Sequence, residues 1–115
     1  MLRRGTLSDP SDGPAQGEHF EAIVAMGNVV VEHIVSGHSS TPASFLQTHD
    51  EWVVVLSGAA LLDVDGERCR LGPRDWVLLP AGIPHTVLET TEGTTWLAVH
   101  VHNQGPADPP ASGSR

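Results

Sequence analysis

The 115-residue chain carries 14 acidic residues against 6 basic ones, a formal net charge of -8 at pH 7. That balance argues against nucleic acid and anionic membrane as main partners, since both need clustered Lys and Arg. Cys69 is the only cysteine, so there is no internal disulfide framework, and the length suits one domain that buries its own core.

Met1 to Arg4 resembles the charged start of a signal peptide, but the polar, Pro-, Gly-, Asp- and Ser-rich stretch from Gly5 to Gly17 supplies no apolar segment behind it. The expected location is therefore cytoplasmic. Residues 1–17 read as a disordered tail, residues 18–103 as a single domain and residues 104–115 as a second disordered tail.

Phe20 to Ala25 and Asn28 to Val35 are rich in β-branched residues and flank a Met26-Gly27 turn, which predicts two strands. Gly37 to Ser44 reads as a polar loop. It leads into Gln47-Thr48-His49-Asp50-Glu51-Trp52-Val53-Val54-Val55-Leu56-Ser57-Gly58, where polar residues run straight into an apolar β-rich segment. If the extended backbone reaches back through Gln47, then Gln47, His49 and Glu51 share a face with Val53 and Val55. A carboxylate among valines costs several kcal/mol unless something compensates it, and a divalent cation is one compensator. A further ligand would come from elsewhere, and His85 is the best candidate.

Ala59 to Val64 and Glu67 to Leu71 flank Asp65-Gly66, a strong signal for a type I′ hairpin. Strands follow at Trp76 to Leu79, from His85 through Glu89, and at Thr94 to His102. Many short strands separated by turns, without a helical period, predict an all-β sandwich or barrel, and an antiparallel jelly roll closes at this size.

Glu51-(six residues)-Gly58 and Pro80-x-Gly82-x-x-His85, in this order, resemble the two signature motifs of the cupin superfamily, G(X)5HXH(X)3-4E(X)6G and G(X)5PXG(X)2H(X)3N. The likeness spans roughly Ser36 to His102. It implies an all-β double-stranded β-helix, a jelly-roll barrel, with a divalent metal ion (Fe, Mn, Ni or Zn) held by Gln47, His49, Glu51 and His85. The first motif's two histidine positions fall on Phe45 and Gln47, so HXH is missing. His49 lies between the usual ligand positions and either bulges inward or faces solvent. Arg74 stands at the opening glycine of the second motif and Glu89 at its closing asparagine. Glu51-Trp52-Val53-Val54-Val55-Leu56-Ser57-Gly58 and Trp96-Leu97-Ala98-Val99-His100 also resemble a subgroup of small bacterial cupins.

Glu89 shares a face with His85 if the strand is regular, which would make it a catalytic base, an acceptor orienting His85, or a solvated strand end. His100 and His102 form an HxH pair for which surface placement is expected, and His19, His33 and His38 read as solvated. Trp52, Trp76 and Trp96 read as core or dimer-interface packing, and Cys69 has no partner at catalytic spacing. The expected function is a metal-dependent enzyme acting on a small molecule in the barrel pocket. The alternatives are a small-molecule binding or sensing module, with or without metal, and a structural, metal-free cupin. By analogy, the chain pairs as a homodimer.

Overall fold

The computed structural model describes residues 2–103, so the expected tail at 104–115 lies outside the described residues. Nine strands follow one another: β1 (Glu18–Met26), β2 (Val29–Ser36), β3 (Ala43–Phe45), β4 (Asp50–Ser57), β5 (Ala60–Val64), β6 (Glu67–Leu71), β7 (Trp76–Leu79), β8 (His85–Thr90) and β9 (Thr94–Val101). They form two antiparallel sheets, ordered β1-β2-β9-β4-β7 and β3-β8-β5-β6. This is the expected jelly-roll arrangement. Among the described residues no helix is long and apolar enough to cross a membrane.

Side-chain alternation explains how the sheets face each other. In β4, Glu51, Val53 and Val55 are buried while Asp50 and Leu56 are exposed, the period of two expected for a strand with one face on a core. Ile34, Val53, Val55, Ala60, Leu62, Leu71, Leu79, Trp96 and Ala98 form the core between the sheets. Each large member contributes roughly 1.5–3 kcal/mol by leaving water.

Turn chemistry sets the connections. Asp65 and Gly66 have φ of 51° and 89°, as a type I′ hairpin requires. Arg74, at the position where the second cupin motif opens with glycine, has φ of 75°. That left-handed conformation costs a side-chain-bearing residue about 1–2 kcal/mol. It persists because Arg74 N donates to Val55 O at 2.8 Å and Val55 N to Asp75 O at 3.0 Å, tying the turn to β4.

Several local expectations differ from the structure. The first hairpin turns at Gly27-Asn28, one residue later than expected, with Met26 paired to Val29. The polar stretch read as a loop runs into β3 at Ala43 and Ser44, and β3 pairs with β8 and carries no alternating apolar signal of its own. Gln47 and His49 precede the strand, which begins only at Asp50. Residues 2–17, expected as a tail, contain a 3-10 turn at Pro10–Asp12 and run beside the barrel. Gly13 abuts the Val35 side chain, and Gly37 N donates to Gly17 O at 2.8 Å.

Candidate functional site

Glu51 is the first inward-facing residue of β4, paired with Leu79 of β7 on one side and His100 of β9 on the other. It is buried, and so is a second carboxyl, Glu32 of β2. Gln47 Nε2 donates to Glu51 Oε1 at 2.8 Å, while Glu51 Oε2 has no hydrogen-bond partner among the described residues. The contact that approaches an ion pair with Glu51 comes from His100, with Nε2 at 3.9 Å from Oε2. Burial above all, and then the negative charge of Glu32, pushes the Glu51 carboxyl up to about 9.

His100 occupies the centre of this group. It was expected at the surface, where the last strand runs out into a polar tail, but it is fully buried because its register opposite Glu51 and Val30 turns it into the barrel. Its Nε2 lies 3.2 Å from Glu32 Oε1, and its Nδ1 lies 2.8 Å from His49 Nε2. His49 therefore turns toward the barrel rather than away from it. Its ring also stacks on His102, with centroids 4.3 Å apart and planes at 30°. Burial first, then the neighbouring His100 and His102, push His49 down to about 4, against the opposing charge of Asp50.

His85 is buried on the facing sheet, paired with Phe45 of β3 and Val64 of β5. Its ring stacks on Phe45 at 5.5 Å. The shared face expected for His85, Val87 and Glu89 does not form. A register shift opposite Leu61/Leu62 leaves Leu88 as the extra residue, so that Val87 and Thr90 are buried and Glu89 is exposed. Glu89 instead lines a cleft of about 260 Å³ with Arg70, His38 and Thr91. A neighbouring cleft of about 420 Å³ is lined by Gln16, Glu18, His38, Ser39, Thr41 and Thr90, among others.

Of the other histidines, His19 and His38 are exposed as expected. His33 is not: it is buried opposite Glu21 of β1, and burial lowers its pKa. Among the tryptophans only Trp96 belongs to the core, whereas Trp52 and Trp76 meet on the outer face of the five-stranded sheet at 6.2 Å, with Trp76 61% exposed.

The four residues expected as metal ligands can be tested as a set. Two unpartnered buried oxygens, Glu51 Oε2 and Gln47 Oε1, suit a hard cation. The imidazoles do not join them: His49 is directed at His100, and His85 lies against Phe45. Among the described residues no group of three or more His, Cys, Asp or Glu side chains is arranged to hold a metal ion. As placed, these residues do not fit a four-donor centre. Within the set, the pKa values of Glu51 and His49 are pushed in opposite directions, up to about 9 and down to about 4.

Glu32 and His100 are the members of the group that sequence reasoning missed. For Glu32 a signal was present, since it is a lone carboxylate in phase with Val30 and Ile34 in a strand otherwise full of valine. His100 carried the same kind of signal, being in phase with Trp96 and Ala98 along β9.

A family model described as "Cupin domain" matches residues 30–101. Among solved structures, a protein from Ralstonia eutropha JMP134, provisionally described as a mannose-6-phosphate isomerase, is 30% identical with a TM-score of 0.73, covering 86% of this chain and 100% of the other. An RmlC-like cupin from Shewanella frigidimarina NCIMB 400 is 15% identical with a TM-score of 0.67, covering 93% and 96%. The Cupin_2 domain of an XRE family transcriptional regulator from Enterobacter cloacae is 16% identical with a TM-score of 0.63, covering 77% and 100%. The latter two share the fold alone. No curated protein matches the chain.

Proposed function

The chain belongs to the cupin family, and from that premise we propose that it transfers a proton on a small carbonyl-bearing molecule, with Glu51 as the acid and His49 as the base. The observation that carries this reading is the pairing, at one end of the barrel, of a buried carboxyl and a neutral imidazole linked through His100. Their pKa values are driven apart, to about 9 for Glu51 and about 4 for His49. At neutral pH one group then holds a proton to give and the other a lone pair to accept one, which is how titratable pairs divide acid and base roles. Gln47 supports the assignment: by donating to Glu51 Oε1 it leaves the acidic proton on Oε2.

The chemistry also agrees with the name given to the Ralstonia eutropha relative. Isomerising a hydroxy-carbonyl compound requires removing a proton from the carbon beside the carbonyl while an acid supports the carbonyl oxygen. The proposed transfer runs through side chains alone.

The test is deuterium wash-in from D₂O into glyceraldehyde, mannose and mannose 6-phosphate, alongside elemental analysis of untagged protein purified without chelator. Exchange at the carbon beside the carbonyl, lost in Glu51→Gln and in His49→Gln, is the expected result. Exchange that depends on near-stoichiometric metal, with that metal lost in His85→Ala, would replace this reading with the metal-centred one. Binding of a probe without exchange would make the protein a small-molecule binding module instead.

A further inference from the structure

We propose that two copies of this chain pair through the outer face of the five-stranded sheet, over β9, β4 and β7. The pairing is independent of the chemistry inside the barrel.

The sequence of β4 departs from that of a strand burying one face. Trp52-Val53-Val54-Val55-Leu56 is a continuous apolar run, and Trp96 to Val99 of β9 is another, whereas a one-sided strand alternates with polar residues. The inward members, Val53, Val55, Trp96 and Ala98, belong to the core. The outward members meet across strands. Val31 of β2 pairs with Val99, Val99 with Trp52, and Trp52 with Leu78 of β7. In the adjacent row Leu97 pairs with Val54, and Val54 with Trp76. Trp76 is 61% exposed and Leu78 52%. No Asp, Glu, Lys or Arg interrupts either row. The other sheet shows what a solvated outer face looks like in this molecule: there Arg70 and Glu89 flank Leu61, and Arg68 and Thr86 flank Asp63.

Chain length, charge and area select a second copy as the cover. The N-terminal segment lies on the outer face only toward the β8–β9 turn, where Gly13 abuts the Val35 side chain and Pro10 lies beside Gly93. Residues 104–115 contain no apolar side chain larger than proline, too little to cover two tryptophans. A chain with a net charge of -8 repels its own copies, and the uncharged rows are where two copies can meet with their carboxylates turned away. The strands β2, β9, β4 and β7, about 4.8 Å apart, and Thr95 to Val101, at about 3.3 Å per residue, span roughly 450 Å² per copy. Two copies bury about 900 Å², above most packing contacts and at the low end of specific interfaces, so the dimer is a reversible one. Two-fold pairing of one face with itself closes at two copies.

The Trp52–Trp76 pair, with ring centroids 6.2 Å apart, is the anchor of the contact, because aromatic side chains that lose water on association carry most of the binding energy of an interface. Salt strengthens such a dimer. Screening weakens the repulsion between like-charged copies and leaves the apolar gain in place. An interface held by ion pairs responds in the opposite sense.

Sedimentation velocity of the full chain from about 1 to about 100 µM tests the pairing. The expected result is a monomer that becomes a dimer within that range, with a dimer fraction that rises when salt is raised from about 0.05 to about 0.5 M. Trp76→Glu should raise the dissociation constant roughly 30-fold or more. Arg70→Gln, on the outer face of the other sheet, makes the net charge more negative by the same amount and should dimerise as the wild type does. If Trp76→Glu fails to fold, Leu78→Ser takes its place with the same direction of effect. A wild-type chain that stays monomeric at about 100 µM in high salt overturns the proposal, as does a Trp76→Glu dimer as tight as the wild type. Equal loss of the dimer in Arg70→Gln would move the contact off this face. A monomer that instead floats with neutral phosphatidylcholine vesicles would assign the face to a lipid surface.

Discussion

The two ends of the barrel bury polar groups in opposite ways. At one end the buried groups are hydroxyls, and they satisfy one another: Ser57 Oγ lies 2.6 Å from Thr95 Oγ1, and Thr94 Oγ1 donates to Thr91 O at 2.7 Å. Likewise Thr90 Oγ1 donates to Gly37 O at 2.7 Å, and Trp96 Nε1 to Ser36 Oγ at 2.9 Å. At the other end the buried groups are ionisable, with Glu32, Glu51 and His100 in contact and Gln47 Oε1, Glu51 Oε2 and His102 Nε2 unpartnered among the described residues. A satisfied neutral network rigidifies a fold, whereas an unsatisfied ionisable one costs stability and is kept where chemistry needs it.

If the hydroxyl end is structural, damage there should be the most destabilising. Gly58 has φ of 83°, and a Cβ there would meet the Thr94 side chain and come within 2.7 Å of Thr94 Cα. Gly58→Ala is expected to lose about 4 kcal/mol, combining left-handed strain with overpacking. Chemical denaturation measures it, and a loss under about 1 kcal/mol would mean that this end yields easily.

Replacing the charge at the ionisable end should do the reverse. The folded protein holds the Glu51 proton up to about pH 9, whereas an unfolded chain releases it above the ordinary carboxyl value of 4.5. The associated stability is complete below 4.5 and declines as pH rises through that window, at up to about 1.4 kcal/mol per pH unit. Glu51→Gln should abolish the decline and become the more stable protein above neutral pH, by something of order 3 kcal/mol at pH 8. Parallel stability–pH curves for the two proteins would refute a buried neutral carboxyl.

Two smaller effects sharpen the contrast. Arg74→Gly should gain about 1 kcal/mol, because glycine relieves the left-handed backbone at a turn far from the chemistry. His49 has the opposite pH sign to Glu51: with its pKa lowered from 6.5 to about 4, its share of stability is complete above 6.5 and is lost as pH falls toward 4. His49→Gln should therefore leave neutral-pH stability nearly unchanged and shift the acid unfolding midpoint downward, as read by tryptophan fluorescence.

Local features of the sequence carried most of the fold. Period-two burial in Glu51, Val53 and Val55, the Asp65-Gly66 turn and the β-branched runs of β2 and β9 follow from steric and turn preferences that act within a few residues. The polar β3 escaped because its pairing partner, β8, supplies the reason it is extended. Glu89 was misplaced because a bulge cannot be seen in alternation alone. The site divides along the same line. The inward direction of Glu51 was legible from the parity of β4. The group it belongs to was not, because His49 meets His100 across 51 residues and His100 meets Glu32 across 68. Those contacts depend on the registers of β4 with β9 and of β9 with β2, and a one-residue slip in either would turn the side chains to opposite faces. The sequence by itself therefore determined strands, turns and which way Glu51 points, through local sterics; only the tertiary register decided which ionisable groups meet in the barrel's interior.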